Sequence, residues 1–204
     1  MDWLRGSGRP ASTAAAPSEP VAAPLEGAAP GVAALVDGVS QDRSHAVLDL
    51  GPALNANLAV YSRFARWVRF ADVLGDSGWA RAGVAVGSLG SIPAQPEHPY
   101  DLVFAWDALD RLFPEDRLRL VEGLAGVTAP GARMHLIARA DDALARPLRF
   151  TLVDLNRIRY EPMAGAPLPK PRLLPAELMK LLAPFRVLHA FTLRSGLREY
   201  VAMR

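Results

Sequence analysis

The sequence predicts an α/β fold in which a doubly wound, mostly parallel sheet ends in an antiparallel C-terminal hairpin. Between residues 45 and 138, short apolar runs typical of buried strands alternate with stretches of helical periodicity. Near the C-terminus, two further strand patterns (residues 185–193 and 198–203) flank the turn-forming pair Ser195 and Gly196. The chain has 204 residues, half of them hydrophobic, which suits one domain with a sizeable core and an appendage.

Residues 1–34 are dominated by Ala, Pro, Gly and Ser, and we predict an arm or linker there, ahead of a single domain over residues 35–204. Five prolines between residues 10 and 30 prevent a long helix. One interpretation is a disordered tail. In the other, the apolar residues Trp3 and Leu4, together with Arg5, anchor the arm on a protein partner or at a membrane interface.

The first part of the domain is predicted to be a strand, helix and strand. Residues 45–50 form the first strand, residues 57–66 a helix, and residues 67–72 a second strand that ends on Asp72. A strand, a helix and a strand within about thirty residues are typical of two parallel strands joined by a helix. Gly51 follows the first strand and allows the tight turn that opens the helix.

A second unit of the same kind follows. Residues 100–106 (YDLVFAW) are the strongest strand pattern, and residues 82–86 are a shorter candidate. Pro114 begins a helix in which Leu118, Val121 and Leu124 share one face, and Glu115 is spaced to pair with Arg119. We expect Gly126 to cap this helix and residues 133–138 to form the next strand.

The C-terminal third has a different pattern. Residues 148–160 are amphipathic, residues 161–175 form a proline-rich loop, and residues 176–182 form a short helix. The hairpin described above then completes the chain. An antiparallel pair at the edge of a parallel sheet is a common arrangement.

The order of these elements and several short motifs resemble the class I S-adenosylmethionine-dependent methyltransferase family over about residues 44–204. The motifs are VLDLG (residues 47–51), YDLVFAWDALDRL (100–112) and LAGVTAPGARMHLIA (124–138). The resemblance implies a Rossmann-like sheet of the methyltransferase type. If the cofactor site is retained, it also implies that S-adenosylmethionine binds at Asp49 and Gly51, with Asp72 at the position of the family's ribose-binding acid.

The chain departs from the family at the cofactor turn. Ala53 and Asn55 stand where the second and third glycines of a G-x-G-x-G turn would fall, and Pro52 removes one N–H donor. Residues 73–99 carry no recognisable counterpart of the family's adenine-contacting acid. We therefore expect a degenerate cofactor loop with little room for a ligand.

Each candidate site residue has two interpretations. Asp49 either contacts a cofactor or accepts hydrogen bonds from loop N–H groups, and Asp72 either binds a ribose or forms a surface ion pair. Asp107 lies just past a strand, where ligands bind in open α/β sheets, but it is also placed to cap the loop while Trp106 covers the sheet edge. No catalytic residue is predicted, and His135, inside a strand, is interpreted as a core or edge histidine.

Composition excludes several other classes of site. There is no cysteine, and the four histidines show no metal-ligand spacing, so neither a disulfide nor a metal site is expected. The net charge is only +2, so nucleic acid is not favoured, although arginines and aromatics interleave over residues 61–70. No signal peptide or transmembrane helix is visible, which predicts a cytoplasmic protein, with peripheral contact at a membrane surface as a further option.

Two functions from different classes remain. In the first, the chain is a pseudoenzyme: a methyltransferase-like domain without a cofactor that serves as an accessory subunit of a larger, membrane-associated assembly and docks its arm on protein partners. In the second, it is an active S-adenosylmethionine-dependent methyltransferase that acts on a small molecule or a protein side chain. The altered turn favours the first, and the acids in register with the family's motifs favour the second.

Overall fold

The computed structural model describes residues 23–75, 92, 96–140, 146–163, 168 and 172–204. In the part of the chain so described, no helix is both long and apolar enough to cross a membrane. The helices and strands follow in this order: β1 (Leu25–Ala28), α1 (Pro30–Val36), β2 (His45–Asp49), α2 (Asn55–Tyr61), β3 (Ala65–Phe70), β4 (Tyr100–Trp106), α3 (Ala108–Arg111), α4 (Pro114–Val127), β5 (Thr128–Arg139), β6 (Leu148–Leu152), β7 (Arg157–Pro162), α5 (Pro175–Leu181), β8 (Arg186–Thr192) and β9 (Leu197–Met203).

The main sheet has six strands in the order β3-β2-β4-β5-β9-β8. β2 runs parallel to β3 and β4, and β4 runs parallel to β5. β9 is antiparallel to both β5 and β8, and the turn between β8 and β9 places Gly196 at φ 80°, a conformation that glycine adopts without strain. The predicted fold class, a mostly parallel sheet with an antiparallel C-terminal hairpin, is confirmed. The short strand predicted over residues 82–86 lies outside the described residues.

A second, antiparallel sheet of three strands has the order β1-β7-β6, and the sequence analysis did not predict it. Its strands β6 and β7 occupy the stretch interpreted only as amphipathic. β1 and most of α1 lie within the predicted arm of residues 1–34, and the Ala29 N–H donates to the Asn156 carbonyl at 2.7 Å. Residues 1–22 are outside the described part of the chain, so the domain boundary stays a prediction.

The central strands of the main sheet are buried on both faces, and they separate two apolar cores. Alternate residues of a strand point to opposite faces, so Val47 contributes to one core and Leu48 to the other. The Leu48 side packs against α4 and α5. On the Val47 side, α1, α2 and the second sheet cover the strands, with Tyr61, Phe104 and Phe150 among the buried residues. The second sheet therefore packs on the same face as α2.

Two helices differ in detail from the predictions. Helix α2 ends at Tyr61 rather than near residue 66, because Phe64 is buried and β3 already begins at Ala65. Helix α4 buries Leu120, Val121, Leu124 and Val127, so its apolar face is rotated and Leu118 is 48% exposed.

The predicted pair and cap on α4 also differ from the structure. Arg119 pairs with Asp116 at 3.4 Å, one helical turn away, rather than with Glu115. Gly126 lies inside the helix instead of capping it, because the last turn continues to Val127 and ends where β5 begins.

Helix α1 is held against the main sheet through Gly31. The Gly31 N–H donates to Glu199 at 2.7 Å, and a Cβ atom at residue 31 would lie 2.7 Å from the Glu199 Cβ and 3.0 Å from the His135 ring. We expect Gly31→Ala to lower the free energy of unfolding by about 1–3 kcal/mol, because the buried neighbours have to shift. Urea denaturation measures the change.

The matched control for this prediction is Gly126→Ala, because that glycine is in a helix with no atom within 4 Å of an added Cβ. Alanine there should raise the free energy of unfolding by about 0.5–1 kcal/mol through helix propensity. If Gly31→Ala and Gly126→Ala raised the free energy of unfolding by similar amounts, the close packing of α1 on Glu199 would be contradicted.

Candidate functional site

The carboxyl ends of β2, β3 and β4 meet at one edge of the main sheet. Asp49, the last residue of β2, lies in register with Phe70 of β3 and Phe104 of β4. This edge is where open α/β sheets bind ligands. The site residues predicted from the sequence lie here: Asp49 ends β2 and Gly51 follows it, Asp72 follows β3, and Asp107 follows β4.

The Asp49 carboxylate is fully buried and accepts four hydrogen bonds from within the protein. One oxygen accepts from the Gly51 N–H at 2.8 Å and from the Trp106 indole Nε1 at 2.6 Å. The other accepts from the Tyr61 hydroxyl at 2.7 Å and from the Asn57 amide at 3.3 Å. The carboxylate thus joins the turn after β2, helix α2 and the end of β4.

Burial raises the pKa of Asp49 to about 6, although the hydrogen bonds from Gly51, Tyr61, Trp106 and Asn57 oppose the rise. Burial also raises the pKa of the Tyr61 phenol, and the neighbouring Asp49 charge raises it further. At neutral pH, Asp49 is therefore an ionised carboxylate that accepts a hydrogen bond from the neutral phenol of Tyr61. Neither of these two groups faces solvent.

A folded-state pKa above the ordinary value of 3.8 makes the contribution of Asp49 depend on pH. The folded chain holds the proton more tightly than the unfolded chain, so this contribution is complete below pH 4 and is lost as the pH rises through about 6. We expect the stability advantage of the wild type over Asp49→Asn to narrow by roughly 2–3 kcal/mol between pH 4 and pH 7. Urea denaturation of both proteins across this range measures it, and a constant difference would contradict the raised pKa.

Trp106 closes this edge of the sheet from the β4 side. Its φ of 49° lies in the left-handed region, which is uncommon for a bulky residue and marks a conformation that the surroundings impose. The indole lies parallel to the Phe150 ring, with 5.8 Å between centroids and 4° between planes. A Cβ at residue 51 would lie 3.2 Å from the indole Cδ1 and 3.1 Å from an Asp49 oxygen. Close packing against Trp106 therefore explains by itself why residue 51 is glycine.

A cleft of about 220 Å³ lies beside Gly51. Its volume is below the roughly 300–1,000 Å³ typical of ligand pockets. Its lining residues are Gly51, Pro52, Leu54, Asn57, Trp106, Leu148, Arg149, Phe150 and Met163.

Neither Ala53 nor Asn55 is among these lining residues, and both are exposed. Among the described residues, Trp106 rather than the altered turn residues therefore occupies the space next to Gly51. The sequence signal for this role is a tryptophan at the end of a buried strand, directly before an acid. Residues 76–91 and 93–95, where the family would have its adenine side, lie outside the described part of the chain.

Asp72 lies two residues beyond the end of β3 and has a φ of 40°. Its N–H donates to the Gly51 carbonyl at 3.2 Å, and the Val73 N–H donates to Leu50 at 3.0 Å. These two bonds join the loop after β3 to the turn after β2. The structure therefore brings Asp72 next to Gly51 through the backbone.

Asp107 forms a buried ion pair that the sequence analysis did not predict. Its carboxylate lies 2.8 Å from a guanidinium nitrogen of Arg111, which is itself fully buried. Arg111 also donates to the Leu148 carbonyl of β6. Burial raises the pKa of Asp107, and the Arg111 charge opposes the rise. The pair connects the start of α3 to the second sheet.

His135 is fully buried in β5 and lies 3.1 Å from Glu199 of β9, which is also fully buried. The Glu199 carboxylate accepts the Gly31 N–H as well. The structure therefore places His135 in the core, as the sequence analysis interprets it. Within the described ranges, no group of three or more metal-ligating side chains comes together. Trp3, Leu4 and Arg5 are not among those residues.

Comparison with solved structures identifies the class of fold. A crystal structure of an S-adenosylmethionine-dependent methyltransferase from Mesorhizobium loti matches with a TM-score of 0.50 and 11% identity over 84% of this chain and 96% of that one. A Burkholderia thailandensis 1,6-didemethyltoxoflavin N1-methyltransferase matches with a TM-score of 0.49 and 16% identity, over 86% and 76%. A methyltransferase from Methanosarcina mazei matches with a TM-score of 0.42 and 13% identity, over 83% and 96%.

No protein-family model and no curated protein matches the sequence. The first of these structural matches reaches a TM-score of 0.50 and carries the conclusion. The chain has a class I methyltransferase-like, Rossmann-type fold. At this level of identity, the likeness concerns the fold alone.

Proposed function

We propose that this protein is a methyltransferase-like domain that does not bind S-adenosylmethionine and acts as an accessory subunit of a larger, membrane-associated assembly. The observation that carries the proposal is the hydrogen bond of 2.6 Å between the Trp106 indole and the Asp49 carboxylate. Both oxygens of that carboxylate already accept bonds from protein donors, and no surface of Asp49 is exposed.

A cofactor at this turn would have to displace Trp106. The displacement would break the bond to Asp49 and the stack on Phe150, and it would leave a buried carboxylate oxygen with one donor fewer. Each such loss costs about 1–3 kcal/mol and weakens the net binding of the cofactor by that amount. The cleft of about 220 Å³ supports the same proposal, because it is small for a ligand pocket.

The accessory role depends on the N-terminal arm. We propose that Trp3, Leu4 and Arg5 dock on protein partners of a cytoplasmic complex or on the membrane surface beside it. Tagged full-length protein should lose those partners on purification when all three residues are replaced by alanine, while its unfolding midpoint stays unchanged. Equal recovery of partners by both proteins would overturn the docking proposal.

The second candidate is an active S-adenosylmethionine-dependent methyltransferase that acts on a small molecule or a protein side chain. The comparisons support it more directly than they support an accessory role, because the matching structures are themselves described as methyltransferases. In this case the cofactor would lie against Gly51, with Asp49, Asp72 and Asp107 around it, and Trp106 would have to move. Methyl transfer then needs mainly positioning and a base for the departing proton.

Titration calorimetry with S-adenosylmethionine separates the two candidates. The first predicts no binding heat from the wild type, and the second predicts binding in the micromolar range. Variants then locate the obstruction. Under the first candidate Trp106→Ser creates binding, whereas the double change Ala53→Gly with Asn55→Gly does not, because residues 53 and 55 are exposed. Binding by the wild type would overturn the first candidate.

A further inference from the structure

A second cavity, of about 420 Å³, lies between β1 and the turn that joins β8 to β9. Of the residues that the structure describes, none lines both this cavity and the cleft beside Gly51. Its volume lies within the roughly 300–1,000 Å³ typical of sites for small ligands. Among its lining residues are Gly27, Tyr160, Thr192, Arg194 and Ser195.

Arg194 supplies an unpaired positive charge to this cavity. It is exposed and makes no ion pair or hydrogen bond with any other described residue. Its guanidinium favours a ligand whose hydrogen-bond acceptor carries negative charge.

The charge around the cavity also favours an anion. Glu26, the lining carboxylate among the described residues, is paired with Arg157 at 3.0 Å and with Arg159 at 3.4 Å. These two arginines neutralise Glu26, and Arg157 also pairs with Asp154 at 2.9 Å. The guanidinium of Arg194 is therefore the lining charge that no neighbouring group offsets among the described residues.

Apolar atoms also line the cavity. Gly27 lies beside the Tyr160 ring, since a Cβ at residue 27 would lie 3.8 Å from the ring carbon Cε1. The half-buried residues Pro30 and Leu193 also line this space. A ligand that matches this lining has an apolar body and one anionic end.

We propose that this cavity binds a small organic carboxylate. The carboxylate accepts from Arg194, and the apolar body lies against Tyr160. The proposal is independent of whether the turn at Gly51 binds a cofactor, because the two sites have none of the described residues in common.

Benzoate is the probe for this site, followed by NMR chemical shifts of the backbone amides in the full-length chain. Benzoate at about 10 mM, a concentration suited to weak fragment binding, should shift the amides of residues 27 and 192–196. Neutral benzamide and inorganic phosphate, which lack the charge or the apolar body, should each bind at least about tenfold more weakly. No shift with benzoate, or equal binding of either other compound, would overturn the proposal.

Variants test the assigned residues. Arg194→Ala should weaken benzoate binding at least about tenfold. Gly27→Val should weaken it by covering Tyr160. Arg186→Ala, which removes an exposed arginine of β8 outside the cavity, is the matched control and should leave binding unchanged. Equal affinity in Arg194→Ala and Arg186→Ala would contradict the site.

Discussion

Replacing Asp49 by alanine should lower the free energy of unfolding by about 3–5 kcal/mol at pH 7. The change leaves four donors without their acceptor in a fully buried place, namely the groups of Gly51, Asn57, Tyr61 and Trp106. It also frees the turn after β2 from the end of β4. Equilibrium urea denaturation, followed by far-ultraviolet circular dichroism, measures the loss.

Asp49→Asn is the control for this prediction, because the amide keeps one oxygen acceptor in nearly the same volume. It should cost about 1–2 kcal/mol at pH 7, since the Tyr61 hydroxyl can turn to accept from the new amide while Asn57 loses its acceptor. If alanine and asparagine were equally mild, Asp49 would not organise this edge of the sheet.

The second large effect is expected at the buried ion pair. Asp107→Ala removes the carboxylate that lies 2.8 Å from Arg111 and leaves the buried guanidinium without that charge. Breaking such a pair from one side costs about 3–5 kcal/mol. Because Arg111 also donates to Leu148, we expect the second sheet to loosen first. Hydrogen exchange at β6, compared with β5, locates the loss.

The double variant Asp107→Leu with Arg111→Met is the control. It removes both charges and keeps apolar volume, so it should be more stable than Asp107→Ala by about 2 kcal/mol or more. A double variant less stable than the single one would show that the bond from Arg111 to Leu148 matters more than the ion pair.

The sheet is largely predictable from the sequence because its central strands are buried on both faces. Residues 45–50 and 100–106 are therefore mostly apolar, with one acid each, and the structure has β2 and β4 there. Asp49 ends β2 and Asp72 follows the neighbouring parallel strand β3, so both acids lie at the same edge of the sheet. That Asp72 binds a ribose stays a prediction.

The interior of the site is not predictable in the same way, because it depends on contacts between distant residues. The bond from Trp106 to Asp49 joins positions 57 residues apart, and nothing local specifies it. The second sheet pairs β1 with β7, which lie more than a hundred residues apart in the chain. By contrast, Asp107 and Arg111 have the i,i+4 spacing of a helical ion pair, so their pairing can be predicted once α3 is known.

The position of the Trp106 indole during exposure to S-adenosylhomocysteine tests the central proposal most directly. The chain has four tryptophans, so a ¹H–¹⁵N spectrum shows four indole signals, and Trp106→Phe assigns the one that matters. With its N–H donated to Asp49, that signal should lie downfield and stay in place as the ligand is added. A shift of this signal that saturates with ligand concentration would show that the cleft admits the cofactor, and it would contradict the proposal.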